Sequence, residues 1–309
     1  MNEIKVFAPA TIANVSCGFD ILGLCLDAVG DEMIIRESKE KGIKITKIVG
    51  QDLPLETEKN VAGVAGLSLL KALSSDAGFE IEIYKNIKPG SGIGSSAASS
   101  AGAVFGINEL LGKPFSTQEL VAFAMQGEKL ASGTAHADNV APALFGGFTM
   151  VTSYDPLNVI KIDAPTELYA TVIHPQIEVK TADSRSVLKQ NVSLKTLVTQ
   201  MGNFGGLISG LYTQDYDLIG RSLHDKIIEP NRSILIPAFD QVKESCLQND
   251  ALGSGISGSG PSIFALSRGE EVAKKVAKGM SEVYSKTGVD FDIHISKVNP
   301  NGVKILEVI

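Results

Sequence analysis

Residues 89–102 read Pro-Gly-Ser-Gly-Ile-Gly-Ser-Ser-Ala-Ala-Ser-Ser-Ala-Gly, three alternate glycines passing into serines and then a run of small residues. Glycine lets backbone approach a ligand closely and adopt positive φ, and the alanine-rich continuation favours helix. The pattern describes a loop entering a helix whose first-turn N–H groups have no helical partner, which makes an anion site with phosphate as the usual anion. It is not a Walker A loop, because Ser95-Ser96 stand where Gly-Lys-Ser/Thr is required. It is not a dinucleotide fingerprint either, because Ser95 fills the third glycine slot. A Gly/Ser turn ahead of a tightly packed helix explains the same residues equally well.

Other polar residues stand in unusual company. Asn14 and Asp20 lie in a small-residue segment, 9–20, where each also reads as an ordinary turn former. Glu128 falls late on a helical segment, just after Gly127, where a solvated side chain is the commoner case. His136, Asp138 and Asn139 are crowded among small residues in 133–147, and three polar functions there are costly to bury without purpose. Thr181 precedes Arg185 by one helical turn, and Arg232 closes a Glu-Pro-Asn-Arg turn. A second Gly/Ser-rich loop, 253–262, leads at once into an apolar strand, which is odd for a linker.

Local pattern supplies the elements that must position these residues. Residues 4–7 form a short strand broken at Pro9, and 32–36 and 43–49 read as strands. Ile81-Glu-Ile-Tyr-Lys85 alternates as a half-buried strand feeding the glycine loop. Asn60 caps one helix, 95–111 forms the next, and Ser116-Thr-Gln-Glu119 is a capping box opening a third, to about residue 131. Strand 148–152 follows, and 154–165 reads as a polar crossover between domains. Beyond it come strand 168–173, helical patterns at 192–210, 216–224, 237–247 and 270–286, and a closing hairpin of 290–297 with 303–308. Strands and helices alternate without a regular βαβ rhythm, so the fold class is α+β.

At 309 residues the chain calls for two domains. Hydrophobic residues make up 44% and charged residues 20%, an ordinary globular balance. The net charge of −7 argues against a nucleic-acid or membrane partner. Three cysteines without a CxxC pair argue against a disulfide framework, and four scattered histidines offer no metal-ligand spacing. The acidic, weakly apolar N-terminus does not read as a signal peptide, so a soluble cytoplasmic protein is expected.

Residues 9–20, 89–99 and 253–262 stand in the order of the three motifs of the GHMP kinases, and the chain resembles that family along its whole length. The family is named for galactokinase, homoserine kinase, mevalonate kinase and phosphomevalonate kinase. The central Pro-x-Gly-Ser-Gly-Ile-Gly-Ser-Ser-Ala form carries the likeness. Ala8-Pro-Ala-Thr-Ile-Ala-Asn14, Gly18-Phe-Asp20 and His136-Ala-Asp-Asn139 bring it nearest the members that act on homoserine.

The resemblance implies a ribosomal protein S5 domain 2-like ATP-binding domain (1–155), a ferredoxin-like domain (156–309) and a site between them. ATP would lie on Pro89, Gly90, Ser91, Gly92, Ile93, Gly94, Ser95, Ser96, Ala97, Ala98 and Ser99, with Asn60 near the adenine. Mg²⁺, a cation that takes oxygen ligands and keeps water, would use Ser96 and Glu128. These two and Asn139 are the expected catalytic residues. L-homoserine would meet Asn14, Asp20, His136, Asp138, Thr181, Arg185 and Arg232. Either Asp20 or Asp138 would pair its ammonium, and Arg185 and Arg232 its carboxylate. Asn14 and Asn139 would orient the hydroxyl. Asp138 is assigned to binding rather than to base catalysis. The implied reaction is transfer of the ATP γ-phosphoryl to the homoserine hydroxyl, in threonine biosynthesis, by a homodimer. Two rival expectations are a family member acting on mevalonate or a sugar, and a non-catalytic metabolite-binding protein on the same fold.

Overall fold

The computed structural model describes residues 2–179 and 181–309, with Thr181 and Ala182 described by backbone alone. The first part of the chain forms β1 (Glu3–Ala13), β2 (Leu22–Ser38), β3 (Gly42–Val49), α1 (Val61–Ala72), β4 (Gly78–Tyr84), α2 (Ser95–Leu110), α3 (Thr117–Ser132), α4 (Val140–Phe145), β5 (Phe148–Tyr154) and β6 (Leu157–Ile162). The second part forms β7 (Leu168–Pro175), α5 (Thr181–Ser186), α6 (Leu194–Thr213), α7 (Tyr216–Ser222), α8 (Glu229–Arg232), α9 (Phe239–Gln248), β8 (Gly253–Ile256), β9 (Ile263–Arg268), α10 (Glu270–Tyr284), β10 (Phe291–Lys297) and β11 (Lys304–Val308).

Period-two alternation builds the larger sheet. Phe79, Ile81 and Ile83 of β4 and Met33 and Ile35 of β2 are buried, while Glu82 turns outward to Arg36 at 2.9 Å. The sheet runs β11-β1-β2-β4-β3, with β5 on β2 and β6 on β5. Helix α2 can lie close against it because its inner face is small. A Cβ at Gly106 would stand 2.7 Å from Ile35 Cδ1. Pro9 does not end β1 as expected. It sits opposite Gly30, and a bulge before Thr11 lets the strand continue to Ala13.

The smaller sheet is antiparallel, in the order β10-β7-β9-β8. The succession β7-α9-β8-β9-α10-β10 is the βαββαβ of a ferredoxin-like unit, with α5–α8 inserted after its first strand. Its core joins Ile173, Val242, Cys246, Ile263, Met280 and Tyr284.

Two expectations about connections are corrected. Residues 157–162 are not crossover but a strand, β6, paired with β5. β10 and β11 do not form a hairpin: β10 pairs with β7, and β11 crosses back to β1. The segment between them is anchored on the first domain, where Asn299 N–H donates to Cys25 O at 3.0 Å and Gly147 N–H donates to Asn299 O at 2.7 Å. Among the described residues no helix is long and apolar enough to cross a membrane.

Candidate active site

The glycine loop leaves β4, turns on three left-handed residues (Gly90, Gly92 and Gly94, φ +72° to +82°) and enters α2 at Ser95. The α2 N-cap is Gly94, which has no side chain to cap the helix. Ala98 N–H is taken by Gly94 O at 2.9 Å. The N–H groups of Ser95, Ser96 and Ala97 ahead of it are the first-turn donors that a helix leaves free. The loop serines largely serve structure. Ser91 and Ser99 are buried, and Ser95 Oγ donates to Ile87 O at 2.9 Å. Ala97 and Ala98 turn their methyls into the core, so an anion would meet backbone at this turn.

Ser96 is the loop serine that faces a carboxyl group. It lies beside Glu128, brought across from α3. Burial pushes the Glu128 carboxyl up to about 7, with the Ser96 hydroxyl and the Lys85 charge pulling the other way. Among the described residues Glu128 Oε1 is buried without a hydrogen-bond partner. Beneath the same turn Lys85 pairs with Asp31 and donates to Ser95 O at 2.9 Å and Ser99 Oγ at 3.1 Å. Burial lowers the Lys85 pKa, and Asp31 opposes that effect. Asp31 also accepts from the N–H groups of Asn86 and Ile87 at 2.8 and 2.9 Å. The sequence reading passed over this pair, yet Lys85 continues the buried parity of Ile81 and Ile83, as Asp31 does that of Met33 and Ile35.

The other half of the site hangs on the turn after β1. Asn14, Val15 and Ser16 all have positive φ, a costly conformation for residues with a Cβ. Tertiary bonds hold them there. Asn14 Nδ2 donates to Gly258 O at 2.8 Å, Gly258 N–H donates to Ala13 O at 3.2 Å, and Asp20 N–H donates to Asn14 Oδ1 at 3.0 Å. Asp20 accepts from Arg185 at 2.9 and 3.1 Å. The same guanidinium nitrogen donates to His136 Nε2 at 2.8 Å, which makes the imidazole an acceptor there and puts its proton on Nδ1. Burial lowers the His136 pKa, favouring that neutral ring.

Arg232 is 3% exposed and donates to Ser184 O and Gly258 O, at 3.1 and 3.0 Å. Burial, and then the neighbouring Arg185 charge, push it down to about 10. Asp138 is buried and pushed up to about 7, by burial first and then by Asp20 and Glu128. Asn139 joins the halves: its Oδ1 accepts from Thr11 Oγ1 at 2.7 Å, and Thr11 N–H donates to Ile93 O of the glycine loop at 3.1 Å. Among the described residues that leaves the Asn139 amide nitrogen as the donor on offer.

The fold therefore gathers Asn14, Asp20, His136, Arg185 and Arg232 into one network and sets Ser96 beside Glu128. The Thr181 side chain lies outside the described residues. Asn60 caps α1, and both ends of its amide are engaged: its Oδ1 accepts from Ala62 N–H at 3.0 Å and its Nδ2 donates to Pro54 O at 2.8 Å. Besides Lys85 and Asp31, sequence reasoning missed Thr11, Phe19 and Tyr154, whose hydroxyl donates to Asp20 O at 2.9 Å. Thr11 and Phe19 lay inside a motif already singled out; nothing local marked Tyr154.

Residues 59–147 match the family profile described as GHMP kinases N terminal domain, and residues 207–286 the one described as GHMP kinases C terminal. A protein of Chlorobium phaeobacteroides named homoserine kinase is 46% identical, over 99% of this chain and 100% of that relative. One of the same name from Methanococcus vannielii is 42% identical, over 92% and 94%. The crystal structure of homoserine kinase from Cytophaga hutchinsonii is 51% identical and superposes with a TM-score of 0.95 over 99% of this chain and 98% of that one. At the level of fold alone the likeness reaches Lactococcus lactis galactokinase complexed with galactose, 14% identical, TM-score 0.72, over 98% and 95%.

Proposed function

The chain belongs to the GHMP kinase family, and from that premise we propose that it is a homoserine kinase, moving the γ-phosphoryl of ATP to the side-chain hydroxyl of L-homoserine. The observation that carries the substrate is Arg232, a buried guanidinium that meets carbonyl oxygens and no carboxylate among the described residues. A buried cation without a counter-anion is costly, and the carboxylate of an amino acid relieves that cost. A neutral sugar does not.

Each part of homoserine has an answering group. Arg232, with Arg185, takes the carboxylate in a guanidinium fork. Asp20 takes the ammonium, its carboxylate serving both that group and its present partner, Arg185. Asp138, pushed up to about 7, is a weaker counter-charge at neutral pH and binds as a carboxyl group. Asn14 and Asn139 orient the hydroxyl. The free N–H groups at the start of α2 and the glycine loop bind the ATP phosphates. The hydroxyl oxygen forms its bond to the γ-phosphorus as the bond from that phosphorus to the β-phosphate oxygen breaks. ADP leaves and the hydroxyl proton passes to solvent. Positioning and charge compensation carry such a transfer.

Mg²⁺ fits the residues present. Glu128 offers a buried, unpartnered oxygen beside the Ser96 hydroxyl. Among the described residues no cluster of three or more His, Cys, Asp or Glu could hold a metal. One carboxylate and one hydroxyl suit a cation that keeps water and takes substrate phosphates. Ser96 and Glu128 would hold it, and it would supply charge neutralisation at the phosphates. A cytoplasmic homodimer belongs to the same proposal on family likeness.

The test offers the purified protein MgATP with L-homoserine, mevalonate, galactose or L-threonine in turn. ADP release is expected with homoserine; release only with mevalonate or galactose overturns the reading. Glu128→Ala is expected to lower turnover by roughly 10²–10³-fold while unfolding stays cooperative. Near-normal turnover in that variant removes Glu128 from the site.

A further inference from the structure

Two like charges meet one aromatic ring in the substrate half of the site. The guanidinium carbons of Arg232 and Arg185 lie 5.0 and 5.6 Å from the centroid of Phe19. Arg185 has Asp20 as counter-charge, whereas among the described residues Arg232 bonds carbonyl oxygens and feels Asp20, Asp225 and Asp138 only from beyond hydrogen-bond distance. Two cations in a partly dehydrated pocket repel each other, and the drop in the Arg232 pKa is in part the mark of Arg185. Holding both in place needs an attraction that leaves their donors free. A second carboxylate would fill those donors and compete with an incoming acid. The face of an aromatic ring attracts a cation without accepting its N–H bonds.

The backbone sets the ring independently of the arginines. Gly18 N–H donates to Asn14 O at 2.9 Å on one side of Phe19. On the other side Asp20 is held through its N–H by Asn14 Oδ1 at 3.0 Å and through its carbonyl by Tyr154 Oη at 2.9 Å. Phe19 thus belongs to a loop pinned at both ends, and the two guanidinium groups, arriving from α5 and α8, come to it.

We propose that Phe19 is a positioning residue that holds Arg185 and Arg232 as a paired receptor for a carboxylate, and so sets the preference of this kinase for alcohols that carry one. The inference rests on the functional reading above and adds a determinant of specificity to it.

The experiment compares L-homoserine with 3-amino-1-propanol, which has the same alcohol and amine and no carboxylate. Kinetics of the wild type, Phe19→Leu and Phe19→Tyr are measured with homoserine varied at saturating MgATP and with MgATP varied at saturating homoserine, and 3-amino-1-propanol affinity is read as its Ki against homoserine. Phe19→Leu is expected to raise the homoserine KM about 10-fold. Its kcat, its KM for MgATP and its Ki for 3-amino-1-propanol should stay within about twofold of wild type. Phe19→Tyr, which keeps an aromatic face, should restore the homoserine KM. Phe19→Met serves in place of Leu if Leu disturbs folding. An unchanged homoserine KM in the aliphatic variant, or an equal loss of affinity for both compounds, overturns the inference while wild-type turnover keeps the functional reading standing. A wild type inactive on homoserine overturns both.

Discussion

Asp138 shows what a buried carboxyl costs the free protein, a cost that the proposed binding role would explain. Its carboxyl lies among small residues, and burial, Asp20 and Glu128 push it from 3.8 up to about 7. The folded state therefore holds this proton more tightly than the unfolded chain does. The contribution to stability is complete below the unfolded pKa and is lost as pH rises through the folded one. Over that window the group removes on the order of 4 kcal/mol. Asp138→Asn should lower turnover, yet be more stable than wild type at pH 8 and show a shallower fall in stability between pH 5 and pH 8. Urea unfolding at the two pH values checks this; a variant with the wild-type slope would place the titration elsewhere. The trio His136, Asp138 and Asn139 could be singled out from its company, since three polar groups among small residues have few structural uses. Phe19 could not, because an aromatic beside a glycine reads as core until the two arginines are seen to flank it.

At the scale of elements the first turn of α2 is the part to explain. A helix start without a side-chain cap must be fixed by other means. Lys85 does this from below, bonding Ser95 O and Ser99 Oγ while paired with Asp31. Lys85→Met would leave a buried carboxylate with two backbone N–H donors and no counter-charge. It should destabilise the fold by about 3–5 kcal/mol. Adding Asp31→Asn should recover part of the loss, because the stranded charge goes with it. Denaturant unfolding of the single and double variants decides; a double variant no better than the single one would deny the pairing. The strands were legible here, and so was the inward parity of both charged residues. Their meeting was not, because it depends on the register of β2 on β4, which sets Glu32 opposite Tyr84 and so places Asp31 and Lys85 together.

At the scale of the molecule the two domains are laced through their loops. Ser257 Oγ donates to Gly92 O at 2.7 Å and Ser262 Oγ donates to Ser91 O at 2.6 Å, while β11 returns from the second domain to the edge of β1. The second Gly/Ser loop is thereby a brace for the first. Gly92 stands at the contact with φ +82°, and a Cβ there would lie 2.6 Å from Gly260 O and 2.8 Å from Ser257 O. Neither backbone oxygen can yield as a flexible side chain would. Gly92→Ala should cost about 2 kcal/mol or more and raise the KM for MgATP, while the wild type unfolds in one calorimetric transition. Two transitions in the wild type would contradict this lacing.

By itself the sequence determined the two-domain α+β class, most of the longer strands and helices though not β6, the caps at Asn60 and Ser116, and the three motifs in order. These follow from short-range sterics and periodicity, which act within a few residues. Only the tertiary structure decided that β1 passes through Pro9, that β11 joins β1 and not β10, and that Asn14, Val15 and Ser16 adopt positive φ without a glycine to announce it. It also decided that Arg185 reaches Asp20 and that Glu128 reaches Ser96. Those outcomes are set by sheet register and by bonds between distant segments, so no single stretch of the chain carries them.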